Sequence, residues 1–270
     1  VTAPLVTFLS DYGLADEFVG VCHAVIARRC PSARIIDLTH GIPRHDVRAG
    51  ALALAGALPF TAPGIHLAIV DPGVGSGRRA VAARTNAEAR VLVGPDNGLL
   101  MEAARLYDGV REAFDIGSSA EVLAPPSATF HGRDVFAPVA AALADGVAIE
   151  RLGEPLDPAG LATLTLPQAQ LDGLSVIAHA VTIDAYGNVS IDATPELLAA
   201  AGVEAGGALL VSTGAVPVAA RWARTFSDVG EGALLIYTDA RGTLALAVNG
   251  GSAAKRLGVS VDEELGLRAL

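Results

Sequence analysis

The sequence predicts an α/β fold: a doubly wound, mostly parallel sheet in an N-terminal domain, followed by a smaller β-rich C-terminal domain. Three observations carry this reading. Strand-length apolar runs alternate with helix-spaced segments from residue 5 to about residue 144. The composition is 51% hydrophobic but only 4% aromatic, which suits an aliphatic core of packed strands and Ala/Leu-rich helices. Beyond Arg151 the pattern changes to short apolar runs separated by turn residues.

The first unit is a strand at 5–10 that ends in Ser10-Asp-Tyr-Gly13 and leads into a helix over 15–29. A second strand at 34–38, the loop Thr39-His-Gly-Ile-Pro-Arg-His-Asp46 and a helix over 47–58 repeat the unit. A buried parallel strand at 66–70 comes next, then strands at 80–83 and 90–93, a helix from Leu99, a strand near 112–115 and a helix from about residue 134 to Ala144. Repeated βα units of this kind predict a sheet wound on both faces. The Gly, Pro and Asp content of residues 151–170 reads as a linker, so that an α/β domain occupies 1–165 and a β-rich domain 171–270. In the latter, strands are expected at 174–183, 188–191, 208–212, 232–237 and 243–248, with one short helix at 195–201.

The net charge is −10, which argues against a nucleic-acid or anionic-membrane partner and favours a small-molecule ligand. Cys22 and Cys30 lie too far apart along one predicted helix to bridge, so reduced thiols are expected. With no secretory leader and no long apolar span in the sequence, a cytoplasmic location is the expectation.

The stretch Ala68-Ile-Val-Asp-Pro-Gly-Val-Gly-Ser-Gly-Arg-Arg79 places Asp71 at a strand tip, before a glycine-rich basic turn that cannot continue the sheet. In an open α/β sheet that edge is where ligands bind. Asp11, Asp71 with Arg78, and His131 all fall in such turns. A carboxylate, a guanidinium and an imidazole brought together can orient and deprotonate a water. Taken singly each has a plainer reading: Asp11 or Asp134 as a helix cap, Asp71 as a turn former, Arg78 as a surface charge. No metal site is expected, because neither His40 and His45 near Asp46 nor His131 near Asp134 has a strong ligand spacing. The glycine-rich turn also lacks the Gly-Lys-Ser/Thr ending of a phosphate loop. In the second domain, Asp184, Tyr186 and Asn188 surround one glycine turn, and Phe226, Arg241 and Asn249 add a ring, a cation and an amide. Such a set can hold a zwitterion and a flat heterocycle, although Asp, Asn and Gly also favour hairpin turns for backbone reasons alone.

Five motifs, Phe8-Leu-Ser-Asp-Tyr-Gly13, Val70-Asp-Pro-Gly-Val-Gly75, Gly94-Pro-Asp-Asn-Gly-Leu99, Thr129-Phe-His-Gly-Arg-Asp134 and Gly187-Asn188, resemble in order and spacing the S-adenosylmethionine hydroxide adenosyltransferases. The resemblance covers nearly the whole chain and extends to the halogenating enzymes that attack the same carbon of S-adenosylmethionine. It implies hydrolysis of S-adenosylmethionine to adenosine and methionine, with the donor as substrate and no cofactor. The catalytic set it implies falls on Asp71, Arg78 and His131, with Arg79 as an adjacent candidate for the arginine. It further implies Asp11 at the ribose hydroxyls, Asp16, Asp184 and Arg241 near the methionine head group, Asn188 and the loop after Asn249 near the adenine, Tyr186 among the contacts, and Phe226 stacking. The halogenating relatives carry tyrosine at the Asp71 position and a tyrosine-serine pair at His131-Gly132, which favours water as nucleophile here. At Val248 those relatives carry a cation. A homotrimer with sites between subunits is implied as well. A non-catalytic S-adenosylmethionine or adenosine binding protein, or a halogenase, is the alternative.

Overall fold

The computed structural model describes residues 3–214, 216–239 and 242–270. The chain divides into two compact units, the first ending at Leu164 and the second running Thr165–Leu270.

In the first unit the elements are β1 (Leu5–Ser10), α1 (Phe18–Arg29), β2 (Arg34–Thr39), α2 (Val47–Ala57), β3 (Ile65–Ile69), β4 (Ala80–Thr85), β5 (Val91–Pro95), α3 (Met101–Arg105), β6 (Val110–Asp115), α4 (Ala137–Ala144) and β7 (Glu154–Leu156). They form a seven-stranded sheet of order β2-β1-β3-β5-β4-β6-β7. The β2-β1-β3-β5 half is parallel, and the pairings of β4 with β5, β4 with β6, and β6 with β7 are antiparallel. The switch of direction has a simple cause. Residues 86–90 alone join β4 to β5, too few for the crossover that a parallel pair requires.

Burial follows the alternation of side chains along each strand. Ile65, Leu67 and Ile69 of β3 pack with α1 and α4 residues such as Ile26 and Val139, whereas Ala68 and Val70 pack on the opposite face with Leu54 of α2 and Ala103 of α3. Covered on both sides, β3 is buried at every position, which explains why it is apolar except at His66. Truncating a filled position such as Leu67 to Ala costs about 2–5 kcal/mol. Helix α2 sits especially close, since a Cβ on Gly50 would lie 2.8 Å from Leu99 Cδ1 and 2.9 Å from Val70 Cγ2. Residues 154–164 are part of this unit rather than a free tether: β7 pairs with β6, Leu161 is buried, and Leu164 packs against Gly98.

The second unit holds β8 (Gln170–Asp172), β9 (Ser175–Ile183), β10 (Val189–Ile191), α5 (Pro195–Ala200), β11 (Ala208–Ser212), β12 (Val218–Trp222), β13 (Leu234–Thr238), β14 (Leu244–Val248), α6 (Ala253–Leu257) and β15 (Glu264–Ala269). Its eight-stranded sheet has the order β10-β14-β13-β12-β11-β15-β9-β8, and β10 also pairs with β9, so the sheet closes on itself in the manner of a barrel. Val176, Val211, Leu234, Leu246 and Leu265 fill the interior from alternate positions of different strands.

Candidate functional site

The parallel half of the first sheet fixes where chemistry is available. Strand β2 lies on one side of β1 and β3 on the other, so the chain leaves the carboxyl ends of β1 and β3 in opposite directions. The crevice at such a switch point is the usual ligand site of an open α/β sheet. Ser10 is in register with Ile69, and the Asp11 N–H reaches the Ile69 carbonyl at 3.4 Å. Asp11 and Asp71 therefore emerge side by side although they are far apart in the chain.

Beyond Asp71 the chain folds back in a glycine turn. Gly75 has φ of 76°, and a Cβ there would lie 2.5 Å from the Ala128 carbonyl oxygen. Glycine thus serves two ends, supplying the left-handed conformation and letting the turn lie against the segment that precedes His131. The fold-back returns Arg78 to Asp71. Its Nε donates to Asp71 Oδ1 at 2.8 Å and Oδ2 at 3.0 Å, and its Nη2 donates both to Oδ2 and, at 2.9 Å, to His131 Nδ1. The guanidinium also lies 5.1 Å from the centre of the Phe136 ring. Side-chain exposure is only 7% for Asp71 and 11% for Arg78, so water screens the pair little and its geometry is held.

This geometry settles the state of His131. A guanidinium has only donors, so Nδ1 must accept and the proton of the neutral ring sits on Nε2. Burial lowers the His131 pKa, and the Arg78 cation lowers it further, against smaller opposing effects of Asp71 and Asp134. His131 is therefore neutral at pH 7 and offers a donor at Nε2. Asp71 accepts from Arg78 through both oxygens and retains lone-pair capacity for another donor. Residues Gly132–Phe136 immediately after His131 form a π-helical turn, a local widening that recurs at functional sites. Asp134 anchors the loop before it, accepting the Ser127 N–H at 2.7 Å while paired with Arg133.

Arg79 points elsewhere. Its Nε donates to Asp96 Oδ2 at 2.7 Å, and the other oxygen of Asp96 accepts the Ala162 N–H at 2.8 Å. Of the two adjacent arginines, only Arg78 joins Asp71 to His131.

One residue at the site escaped the sequence reading. Tyr12 lies with its hydroxyl against the backbone of Gly132, where a Cβ would approach to 2.1 Å. Burial raises its pKa well above the usual range, with Cys22, Asp11 and Asp71 adding to the effect, so the phenol stays protonated as a donor. Its ring meets Phe18 and Phe130 edge-on at 5.9 and 5.8 Å, giving an apolar wall beside the charged set. The only local signal was an aromatic residue between Asp11 and Gly13; the partner that makes it meaningful is Gly132.

The other candidates divide. Asp11 Oδ2 accepts the N–H of His45, which is held at φ of 65° to present it, at 2.8 Å. Asp16 is exposed on the loop before α1. In the second unit Asp184 accepts the N–H groups of Tyr186 and Asn188 at 2.9 Å each and the Asn188 side-chain amide at 2.8 Å. That is turn chemistry, and it leaves Tyr186 exposed at the tip. Gly187 allows this turn to lie on Ser252, and the Ala254 N–H bonds to the Gly187 carbonyl at 3.0 Å, which brings Asn188 toward the loop after Asn249. Asn249 itself donates to the Val229 carbonyl at 2.9 Å. Phe226 is 40% exposed and tilts against Tyr237 at 5.2 Å. Nearby, Arg221, Trp222, Arg224 and Asp228 line a concavity of about 700 Å³. Arg241 lies outside the described residues. His40, His45 and Asp46 do not act together: Asp46 caps α2 through the Ala49 N–H at 2.8 Å, and His40 turns toward Asp37.

Comparison with known proteins follows the same division of the chain. The model of the SAM hydroxide adenosyltransferase N-terminal domain matches residues 6–153, and that of the C-terminal domain matches 178–266. The chain is 44% identical over 268 residues to the (R)-S-adenosyl-L-methionine hydrolase of Salinispora arenicola, covering 99% of each. It is 29% identical to the fluorinase of Actinopolyspora mzabensis over 93% of this chain and 92% of that one. A crystal structure of a conserved protein from Thermotoga maritima superposes with a TM-score of 0.90 at 37% identity, covering 97% of this chain and 99% of that one. Among the described residues, no helix is long and apolar enough to cross a membrane.

Proposed function

The chain belongs to the SAM hydroxide adenosyltransferase family, and on that premise we propose that it hydrolyses S-adenosylmethionine to adenosine and methionine with Asp71, Arg78 and His131 as its catalytic set. The observation that carries the assignment is the single guanidinium bonded at once to Asp71 and His131 beside the β1/β3 switch point.

In the reaction a water oxygen attacks C5′ in line with the sulfonium, the C5′–S bond breaks with its electron pair going to sulfur, and the water loses one proton. Sulfur departs neutral, so no acid is needed at the leaving group. The work of the site is to align one water and remove its competing hydration, which oriented groups do with large effect. Asp71 accepts a hydrogen of that water and, as its oxygen bonds to carbon, the proton. Arg78 holds the carboxylate in place through its donors, and neutral His131 donates from Nε2 to fix the water without competing for its proton. Tyr12 and Phe130 shield the set from bulk solvent.

A halide gains nothing from this arrangement. Asp71 with Arg78 is net neutral, and a carboxylate about 4 Å from an anion costs ~4 kcal/mol at an effective dielectric of 20. The substrate epimer is the one named in the 44% identical relative, the (R)-sulfonium. Both epimers share C5′ and the leaving group, so discrimination rests on how the methionine arm is held, for which Asp16, Asp184 and Arg241 are the proposed contacts, with Asp11 at the ribose hydroxyls and Asn188, Asn249, Tyr186 and Phe226 as further proposed adenosine contacts. A homotrimer, as the resemblance to the family implies, and a cytoplasmic setting belong to the same reading.

The test is adenosine release from each separated sulfonium epimer by the purified protein and by Asp71→Asn. Turnover of the (R)-epimer that falls by ~10²-fold or more in the variant, with binding retained, is expected. Binding of either epimer without adenosine release would leave a binding protein only.

A further inference from the structure

At the free edge of the first sheet three ligating side chains converge: His23 from α1, Asp37 from β2 and His40 just beyond β2, with their nearest ligand atoms all within 4.8 Å of one another. His23 Nε2 lies 2.8 Å and His40 Nε2 3.1 Å from the same oxygen, Asp37 Oδ1. We propose that these three residues form a binding site for a divalent transition-metal ion of the zinc, cobalt or nickel type.

Two features separate this group from a chance surface cluster. His40 is built in: its side chain is 3% exposed, its Nδ1 is bonded to Ser10 Oγ at 2.8 Å, and Phe8 packs edge-on against its ring at 4.6 Å. A partner on the second ring nitrogen is the arrangement that orients a ligating histidine. The other feature is that His40 Nε2, though buried and aimed at Asp37, makes no hydrogen bond there. Neither neutral tautomer satisfies it. With the proton on Nε2 the N–H lies near Asp37 Oδ1 but is not aligned to bond it; with the proton on Nδ1, where Ser10 Oγ accepts it, the Nε2 lone pair faces a carboxylate oxygen. A cation between His40, Asp37 and His23 meets all three lone pairs at once.

The donor set names the class of ion. Two imidazole nitrogens and one carboxylate oxygen suit zinc and its neighbours, whereas magnesium and calcium take oxygen donors. His23 and Asp37 are 33% and 41% exposed at the side chain, which leaves an entry path and room for water as a further ligand. Ser10 Oγ also accepts the Tyr12 N–H at 3.3 Å, and the Gly13 N–H bonds to the His40 carbonyl at 2.8 Å, so an ion here ties down the loop that carries Asp11 and Tyr12.

Titration of untagged, chelator-treated protein with Co²⁺, followed by its visible absorption and by displacement with Zn²⁺, reads the site directly. One Co²⁺ per chain is expected. His23→Ala and Asp37→Asn, both at partly exposed positions and each checked for folding by circular dichroism, should weaken binding by at least ~10-fold, and excess Mg²⁺ should not compete. Absence of a stoichiometric Co²⁺ spectrum, or binding that both variants leave unchanged, overturns the proposal.

Discussion

Acid should destabilise the first unit through one buried histidine, His66, the second residue of β3. The ring is fully buried, with Nδ1 at 2.9 Å from Thr7 Oγ1 and Nε2 at 3.2 Å from the Arg90 guanidinium. Burial, and then the Arg90 cation, lower its pKa from 6.5 to about 3. The unfolded chain takes a proton near pH 6.5 while the folded chain refuses it until about pH 3, so stability is full above pH 6.5 and falls through that window. At pH 4 the gap is worth about 3 kcal/mol, from ~1.4 kcal/mol per pH unit over roughly two and a half units. Urea unfolding followed by far-ultraviolet circular dichroism between pH 7.5 and 4 measures it; the single tryptophan, Trp222, lies in the second unit and does not report on the first. His66→Gln removes the titrating group, so the difference between the two proteins should shrink by about 3 kcal/mol on acidification, even if the variant starts less stable. A difference that stays constant across this range would refute the argument, because it would mean that His66 takes its proton equally well in both states.

Other outcomes follow from the site. Gly132→Ala should lower turnover at least ~10-fold, because the added Cβ displaces the Tyr12 hydroxyl, and Tyr12→Phe in the same chain should recover part of the loss by removing the clashing atom; equal losses in both proteins would deny the contact a role. Arg78→Lys should cut turnover by ~10²-fold, since an ammonium cannot span Asp71 and His131 as a planar fork does. Arg79→Gln should leave turnover nearly unchanged and cost about 1–3 kcal/mol in stability, because it takes the cation from the nearly buried Asp96 and a donor from the Gly160 carbonyl; steady-state rates and melting curves separate the two arginines.

What could be read in advance depended on whether the cause was local. Strand β3 was legible because burial on both faces demands apolar residues, which leave Leu67 to Val70 as a run beside His66. The antiparallel pairing of β4 with β5 was not, since the tight turn between them puts Glu88 and Ala89 at positive φ without the Gly or Asn that marks a hairpin. β12, with the sequence Val-Ala-Ala-Arg-Trp, and β15, with Glu-Leu-Gly-Leu-Arg-Ala, were missed because small or charged residues interrupt their alternation. Asp71, Arg78 and His131 stood out through their place in turns. The choice between Arg78 and Arg79 did not, for it is made by a fold-back that depends on Gly75 against Ala128. The grouping of His23, Asp37 and His40 joins a helix to an edge strand and carries no spacing motif, and Tyr12 acquires its place only through Gly132.

Turnover of the (R)-sulfonium in oxygen-18 water containing molar chloride, with mass analysis of the nucleoside product, tests the central claim most directly. Attack by water at C5′ beside Asp71 predicts adenosine with one oxygen-18 in the 5′-hydroxyl and none in methionine, as the main product despite the chloride. 5′-Chloro-5′-deoxyadenosine as the main product, or adenosine without the label, would contradict it.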